Sequence, residues 1–271
     1  MAEESRDWDD AYANGAYIPG AADYPPRWTA AAAAFSDKIG SRHSVIRYGE
    51  GERNHVDLFR PLGTPKGLAV FVHGGYWMRF DASYWLHLAA GAMDRGWAVG
   101  LPTYTLAPEA RIAGITQEIG QALASAAEQI DGPIHLAGHS AGGHLVSRMA
   151  CVDAPLPETV VERIGRVLSI SGVHDLRPLR RTALNDTLGI TAAEAEAESP
   201  CLLIPREGTD LVCWVGADER PEFVRQNALL PNVWTGFDTT ARAVEDPGKH
   251  HFDVIDGLAD ADSPIMQAWM E

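Results

Sequence analysis

The chain contains few of the residues that would indicate a disulfide framework or a metal site. Only three of its 271 residues are cysteines, and none has the C-x-x-C spacing of metal and redox sites. Cys151, Cys201 and Cys213 all lie in apolar stretches, so we expect free, buried thiols that serve packing. Such thiols fit a reducing compartment and predict a cytoplasmic protein.

Basic residues are also scarce. The chain has 22 lysines and arginines against 37 aspartates and glutamates, which gives a net charge of −15. Binding to a nucleic-acid backbone needs a basic face, and an anionic membrane surface likewise attracts basic segments. We therefore expect no nucleic acid and no membrane as a partner.

Long apolar runs are missing as well. No stretch of about 18 apolar residues occurs, so no membrane-spanning helix is expected. The first ten residues are acidic and lack the apolar core of a secretory signal peptide. The chain is thus expected to be neither inserted in a membrane nor exported by such a signal.

The chain does contain enough apolar sequence for a sizeable core. Hydrophobic residues make up 46% and charged residues 22%, and no internal repeat or low-complexity linker divides the chain. This predicts a single domain over residues 1–271. Residues 8–42, rich in aromatics and prolines, are expected to form an extension that packs on the domain or covers it. Residues 174–209 are the least regular part and predict a small lid or cap.

Short apolar runs alternate with helix-like segments along most of the chain. Strands are expected near residues 44–48, 55–60, 68–72, 97–101, 134–137, 166–171, 210–215 and 239–244, and helices near 83–95, 112–130, 141–152 and 220–230. Strands that alternate with helices form βαβ units. The pattern predicts an α/β fold with a mainly parallel central sheet, helices on both faces and a small lid insertion.

A Gly-x-Ser-x-Gly motif, Gly138-His139-Ser140-Ala141-Gly142, lies between one of these strands and a helix. In that context the motif forms a nucleophile elbow, a tight turn that projects the serine hydroxyl above the sheet. Gly138 and Gly142 fit because a Cβ at either position would collide with the neighbouring strand or helix. The alternative is an ordinary connection with a capping serine, so Ser140 is a nucleophile only if its partners are present.

A second glycine turn, His73-Gly74-Gly75-Tyr76-Trp77, follows the buried strand at residues 68–72. Serine esterases built on a parallel sheet have an oxyanion donor at this position. We assign the donors as the backbone N–H groups of Gly75 and Ala141, with that of Tyr76 as a further candidate. An ordinary glycine turn after a buried strand is the alternative.

Residues in and beside these two turns are expected to contact the substrate: Tyr76, Trp77 and His139. Trp85 and the aromatic residues of 8–42 are further candidates for lining an acyl or aryl pocket. Each of these aromatic residues, taken singly, is more simply explained as part of the core.

The general base must come from ten histidines. In these folds the chain order is nucleophile, acid, histidine. Only His250 and His251 follow a late strand, in a loop before a helix, and the chemistry of the two residues leaves the choice between them open. His174, which follows an earlier strand, is a candidate for lining the pocket.

The acid is expected after the strand at residues 210–215, where Asp218 and Glu219 are adjacent. The usual spacing of about three positions after the glycine that ends the strand, here Gly216, selects Glu219. Aspartate is the shorter and more frequent choice, so Asp218 stays open as the alternative acid.

Taken together, these motifs resemble the α/β-hydrolases, and within them the arylformamidase (kynurenine formamidase-like) group. The matching segments are His73-Gly74-Gly75-Tyr76-Trp77, Tyr104-x-Leu106-Ala107-Pro108-Glu109, Gly138-His139-Ser140-Ala141-Gly142-Gly143, Glu219-Arg220-Pro221-Glu222-Phe223 and His251-Phe252. The resemblance covers about residues 45–260 and implies His251 as the base and Glu219 as the acid. Hormone-sensitive-lipase-like esterases share the Tyr-x-Leu-Ala-Pro-Glu run. They usually have a third glycine at position 76 and aspartate at position 139, which disfavours them.

The resemblance implies a serine hydrolase that cleaves a small ester or an aryl N-formyl amide through an acyl-enzyme, without a metal or organic cofactor. A general carboxylesterase or thioesterase for short acyl groups would use the same residues. A non-catalytic binding module on the same fold is a second alternative, because fold does not imply function. The expected partner is a small-molecule ester or formamide. The oligomeric state is left open, with a homodimer as one candidate.

Overall fold

A computed structural model describes residues 6–271, and its centre is one eight-stranded sheet. The strands are β1 (His43–Arg47), β2 (His55–Phe59), β3 (Leu68–Val72), β4 (Ala98–Thr103), β5 (Ile134–His139), β6 (Ile164–Ile170), β7 (Asp210–Gly216) and β8 (Thr240–Asp246). Their order across the sheet is β1-β2-β4-β3-β5-β6-β7-β8. β1 and β2 form an antiparallel hairpin, and β2 is antiparallel to β4. All pairs from β4 to β8 are parallel, which confirms the mainly parallel sheet.

Helices return the chain between the parallel strands. Within the described residues they are α1 (Trp8–Ala11), α2 (Tyr24–Ile39), α3 (Ala89–Asp94), α4 (Ile112–Ala127), α5 (Ala141–Met149), α6 (Glu158–Val161), α7 (Asn185–Leu188), α8 (Ala192–Ala197), α9 (Pro221–Trp234) and α10 (Pro264–Met270). Short 3₁₀ turns join several of them.

The core consists of two apolar layers, one on each face of the sheet. Successive residues of β3 alternate between them: Val70 and Val72 belong to one layer, Ala69 and Phe71 to the other. The first layer packs against α4, α5 and α9, and the second against α2, α3 and α10. Because helices cover both faces, all five residues of β3 are buried, as its unbroken apolar sequence predicts.

All four helices with predicted bounds differ from them, and α4 and α5 each end three residues before the predicted end. The segment expected as a helix over 83–95 begins as two 3₁₀ turns and becomes α-helical only at Ala89. Helix α9 continues past Leu230 to Trp234, although Pro231 lies inside it and lacks the N–H that a helix interior uses. The fully buried Trp234 donates from Nε1 to the Pro200 carbonyl at 3.1 Å, so tertiary packing stabilises the last turn.

The N-terminal extension of residues 8–42 lies against the sheet domain through buried aromatic side chains. Tyr12 meets Phe223 of α9 edge-on, with ring centroids 5.9 Å apart. Trp28 of α2 packs on Trp85 and Phe252 at 5.1 and 5.5 Å. The extension is thus joined to both apolar layers.

Residues 174–209 form an insertion between β6 and β7 that contains α7, α8 and two 3₁₀ turns. His174, at its start, is fully buried. Its ring nitrogens bond the Ser169 hydroxyl at 2.8 Å and the Gln226 carbonyl at 2.9 Å, and burial lowers its pKa to about 4. His174 therefore fixes the insertion to the sheet and to α9.

The three cysteines are free and buried, as their apolar surroundings predict. Burial raises the pKa of Cys151 and of Cys201 to about 12, so both stay protonated thiols. Among residues 6–271, no helix is both long enough and apolar enough to cross a membrane.

Candidate active site

Ser140 lies on the tight turn between strand β5 and helix α5. Its φ of 56° and ψ of −115° are in a region that side-chain-bearing residues rarely adopt. Close contacts between the backbones of β5, α5 and β3 hold Ser140 in this conformation. A Cβ on Gly138 would lie 2.1 Å from the Gly142 carbonyl oxygen, and one on Gly142 would lie 1.9 Å from that of Val72. The glycines thus let α5 pack directly on the sheet, and the turn between them raises the serine.

A cavity of about 170 Å³ opens beside Ser140. At roughly 30 Å³ for each water in the liquid, it corresponds to the volume of about five or six waters. Gly75, Tyr76 and His251 share its wall with Ser140. A larger depression of about 370 Å³ lies where β6 and β7 begin, and its lining includes no serine, cysteine or histidine. The small cavity lies at the carboxyl ends of the strands, where ligands bind in open α/β sheets.

Glu219 and His251 form a buried pair at this end of the sheet. Oε2 of Glu219 is 2.6 Å from Nδ1 of His251. The other carboxylate oxygen accepts from the Gly216 N–H at 3.0 Å and from the Ser171 hydroxyl. These bonds fix the carboxylate, which in turn orients the imidazole with Nε2 away from it.

His251 is also held by its neighbours in space. Nε2 of His139 bonds the His251 carbonyl oxygen at 2.9 Å, and the rings of His139 and Phe223 lie 4.6 Å from the imidazole. Burial, and then the nearby His251, hold the pKa of His139 well below its usual value, so its ring is neutral. Within residues 6–271 no hydrogen bond joins the Ser140 hydroxyl to His251, although both line the cavity.

The turn after β3 has three consecutive residues with positive φ: Gly75 at 113°, Tyr76 at 52° and Trp77 at 57°. Such strain collects at functional sites, where the surrounding structure maintains it. Here the Tyr76 hydroxyl donates to the Tyr12 carbonyl at 2.6 Å. The backbone N–H groups of Gly75 and Tyr76 donate to no acceptor among the described residues. They are thus available to a ligand.

His73 supports this turn from below. Its Nδ1 bonds the Gly74 carbonyl at 2.7 Å, and its ring stacks on Tyr104 with centroids 4.3 Å apart. Burial lowers the pKa of His73 to about 4. A neutral, stacked imidazole fits a structural role.

Residues 69–270 match the model of the alpha/beta hydrolase family. The chain belongs to this family. Similar proteins include the kynurenine formamidase of Salmo salar, 28% identical over 233 residues that span 82% of this chain and 79% of that protein. The kynurenine formamidase of Drosophila melanogaster is 28% identical over 247 residues, 85% of this chain and 81% of that one.

Solved structures give the same assignment. A candidate thioesterase from Silicibacter sp. TM1040 is 52% identical, with a TM-score of 0.94 over 98% of this chain and 99% of that chain. Esterase B from Lactobacillus rhamnosis is 20% identical, with a TM-score of 0.65 over 92% of each chain, which bears on the fold alone. The protein is therefore a hydrolase with the α/β-hydrolase fold.

This alpha/beta hydrolase brings most of the predicted site residues to one cavity. Ser140, His251, Gly75, Tyr76 and His139 line it. Two further residues lie directly behind the wall: Glu219 bonds His251, and Ala141 follows Ser140 at the first position of α5. The alternative acid, Asp218, is exposed, and its contact in the described residues is a backbone bond to Lys249.

Trp77 and His174 do not line the cavity, which corrects their predicted roles. The indole of Trp77 lies in the core, where it is fully buried and meets His144 edge-on at 5.2 Å. His174 is buried between β6 and α9, as described above.

Trp28 and Trp85, both candidates from the sequence, line the cavity, whereas sequence reasoning missed Asn14 and Gly15. The N-terminal extension supplies Asn14, Gly15 and Trp28, and no residue of the 174–209 insertion lines the cavity. The extension thus forms part of the cavity wall, and the insertion does not. The density of aromatic residues in 8–42 was the available signal, but it did not identify Asn14.

The close packing at the elbow predicts opposite effects for two Gly→Ala substitutions. Gly142→Ala should lower the free energy of unfolding by about 1–3 kcal/mol, because its Cβ meets the backbone of β3. Gly114→Ala, on the exposed side of α4 with no atom nearer than 4.0 Å, should raise it by about 0.5–1 kcal/mol. Urea denaturation measures both, and a Gly142→Ala protein as stable as Gly114→Ala would contradict the packing.

Proposed function

We propose that this alpha/beta hydrolase is a serine hydrolase with Ser140 as nucleophile, His251 as general base and Glu219 as the acid that orients it. The observation that carries the proposal is the 2.6 Å bond from Glu219 to His251 Nδ1 beside the cavity that Ser140 lines. That bond leaves Nε2 as the nitrogen that can take a proton. The strained φ of Ser140 is further support.

In the first half of the reaction the Ser140 oxygen attacks the carbonyl carbon of the substrate, and His251 Nε2 takes the hydroxyl proton. The N–H groups of Gly75, Tyr76 and Ala141 are the proposed donors to the resulting oxyanion. The tetrahedral intermediate then expels its alcohol, thiol or amine, which leaves with the proton from His251. Glu219 stabilises the imidazolium while it exists.

In the second half, water attacks the acyl-enzyme while His251 removes its proton. The new tetrahedral intermediate collapses, the acid is released, and Ser140 regains its proton. Each residue returns to its starting state. The reaction is a hydrolysis, in which nothing is oxidised or reduced.

We propose a small ester or an aryl N-formyl amide as the substrate. The similarity to two kynurenine formamidases supports the formamide. The small cavity volume and the aromatic walls formed by Trp28, Phe80 and Phe252 fit a short acyl group joined to an apolar body.

A short-chain esterase or thioesterase is the second candidate. The observation that favours it is the 52% identity to the candidate thioesterase from Silicibacter sp. TM1040 over nearly the whole chain. The same residues would serve, since only the leaving group changes. The cytoplasmic location, the homodimer and the lack of nucleic-acid binding stay predictions from the sequence.

The two candidates are separated by parallel kcat/KM measurements on N-formylkynurenine, phenyl acetate and S-phenyl thioacetate. We expect the formamide to be hydrolysed at least as efficiently as the two acetyl compounds. Ser140→Ala should lose roughly 10⁴-fold or more in kcat on all three, because the nucleophile is removed.

A formamide value far below the ester and thioester values would overturn the formamidase assignment and leave the esterase. A wild-type protein inert on all three substrates, or a Ser140→Ala protein of equal activity, would overturn the serine-hydrolase proposal itself.

Adjacent carboxylates provide a matched test of the acid. Glu219→Gln should lower kcat by roughly 10²-fold or more, because the amide no longer stabilises the imidazolium. Asp218→Asn should change kcat less than about threefold, since Asp218 is exposed and charge changes at such positions have small effects. Steady-state kinetics on phenyl acetate measure both. The reverse order would make Asp218 the acid.

A further inference from the structure

Asn14 has an unusual environment for a polar side chain. The residue is only 6% exposed and lines the same cavity as Ser140. Neither Nδ2 nor Oδ1 has a hydrogen-bond partner among residues 6–271. Buried amides are nearly always bonded, because a donor or acceptor removed from water without a partner is costly. An amide in this condition at a cavity wall can bond a ligand that enters the cavity.

A second unpartnered group lies in the same wall. Trp85 is 2% exposed, and its indole Nε1 likewise has no hydrogen-bond partner among the described residues. The cavity therefore offers an acceptor and donors from Asn14 and one more donor from Trp85. None of these groups is needed for the proposed attack on the carbonyl, which uses Ser140, His251 and backbone N–H groups.

The segment that carries Asn14 is firmly attached. The Tyr12 hydroxyl donates to the fully buried Glu222 at 3.0 Å and accepts from Gln226 Nε2 at 3.1 Å. The Arg220 guanidinium forms an ion pair with Asp10. Asn14 is two residues from Tyr12, so it is held in place before a ligand binds. Preorganised groups bind a ligand with less loss of entropy.

We propose that Asn14 is a specificity-determining residue that binds a neutral donor-and-acceptor group of the substrate, such as a carboxamide, separate from the carbonyl that Ser140 attacks. A carboxamide satisfies both ends of the asparagine amide, whereas a carboxylate has no donor for Oδ1. The cavity wall also contains the cationic side chain of Arg79. Because Arg79 is exposed to solvent, it does not make the buried end of the cavity selective for anions. This inference rests on the proposed serine-hydrolase function.

The test compares phenyl acetate with its ortho-, meta- and para-carbamoyl derivatives and with 2-carboxyphenyl acetate. Each kcat/KM is divided by the rate of alkaline hydrolysis of the same ester, which removes differences in intrinsic reactivity. We expect wild type to prefer at least one carbamoyl ester over phenyl acetate by about tenfold or more, since the loss of a hydrogen bond to a buried partner has an effect of this order.

Asn14→Leu should reduce that preference at least about fivefold, mainly through KM, because a side chain of similar size without polar atoms replaces the amide. Asn14→Asp keeps the shape of the side chain and removes its donor, so it should also reduce the preference. This variant tests the inference if Asn14→Leu does not fold.

The matched control is Asn227→Leu. Asn227 is a buried asparagine of α9 that donates to the Val244 carbonyl and does not line the cavity, so its variant should keep the wild-type preference.

Three results would overturn the inference while the esterase stands. Wild type could hydrolyse phenyl acetate without preferring any carbamoyl ester. The Asn14 variants could retain the wild-type preference at lower overall activity, as a structural role would produce. The wild type could prefer 2-carboxyphenyl acetate as strongly as the carbamoyl esters, with the Asn14 variants reducing that preference as well. A wild-type protein inert on every ester and on N-formylkynurenine would instead remove the proposed function, and this inference with it.

Discussion

The site depends on how closely helix α5 approaches the sheet. Gly142 contacts the backbone at the end of β3, and Gly138 contacts the first turn of α5, at distances that exclude any side chain. The chain between them must turn within one residue, which gives Ser140 its positive φ. The same approach sets Gly74 beside the serine, where a Cβ would lie 3.0 Å from that of Ser140. One packing constraint therefore positions both the serine and the turn that faces it.

The parallel sheet brings the other groups to the same end. Gly216, which ends β7, donates to Glu219, and Glu219 bonds His251 beyond β8. The N-terminal extension forms part of the cavity wall, and the bond from the Tyr76 hydroxyl to the Tyr12 carbonyl joins it to the strained turn. A hydrogen bond thus links the extension to the turn that carries the proposed oxyanion donors. This connection supports treating Asn14 as part of the binding site.

Features set by spacing along the chain could be predicted from the sequence, whereas features set by contacts between distant segments could not. Ser140 and Gly75 lie at fixed distances from strand ends, so motif spacing predicted that they would lie at one end of the sheet. The same spacing favoured Glu219 as the acid but left Asp218 open, and the alternating apolar runs predicted the parallel sheet. Trp77 was assigned wrongly because its indole packs in the core against His144 of α5, which is distant in sequence. Asn14 and the last turn of α9 depend on contacts between segments distant in sequence, which periodicity does not encode.

We propose Ser140 as the activated nucleophile of this alpha/beta hydrolase. This proposal is tested most directly by treating the protein with diisopropyl fluorophosphate, followed by intact-mass measurement and peptide mapping. We expect one phosphoryl adduct per chain, on Ser140, formed with loss of fluoride and in step with loss of esterase activity. Absence of an adduct, or an adduct on another serine while activity is lost, would contradict the proposal.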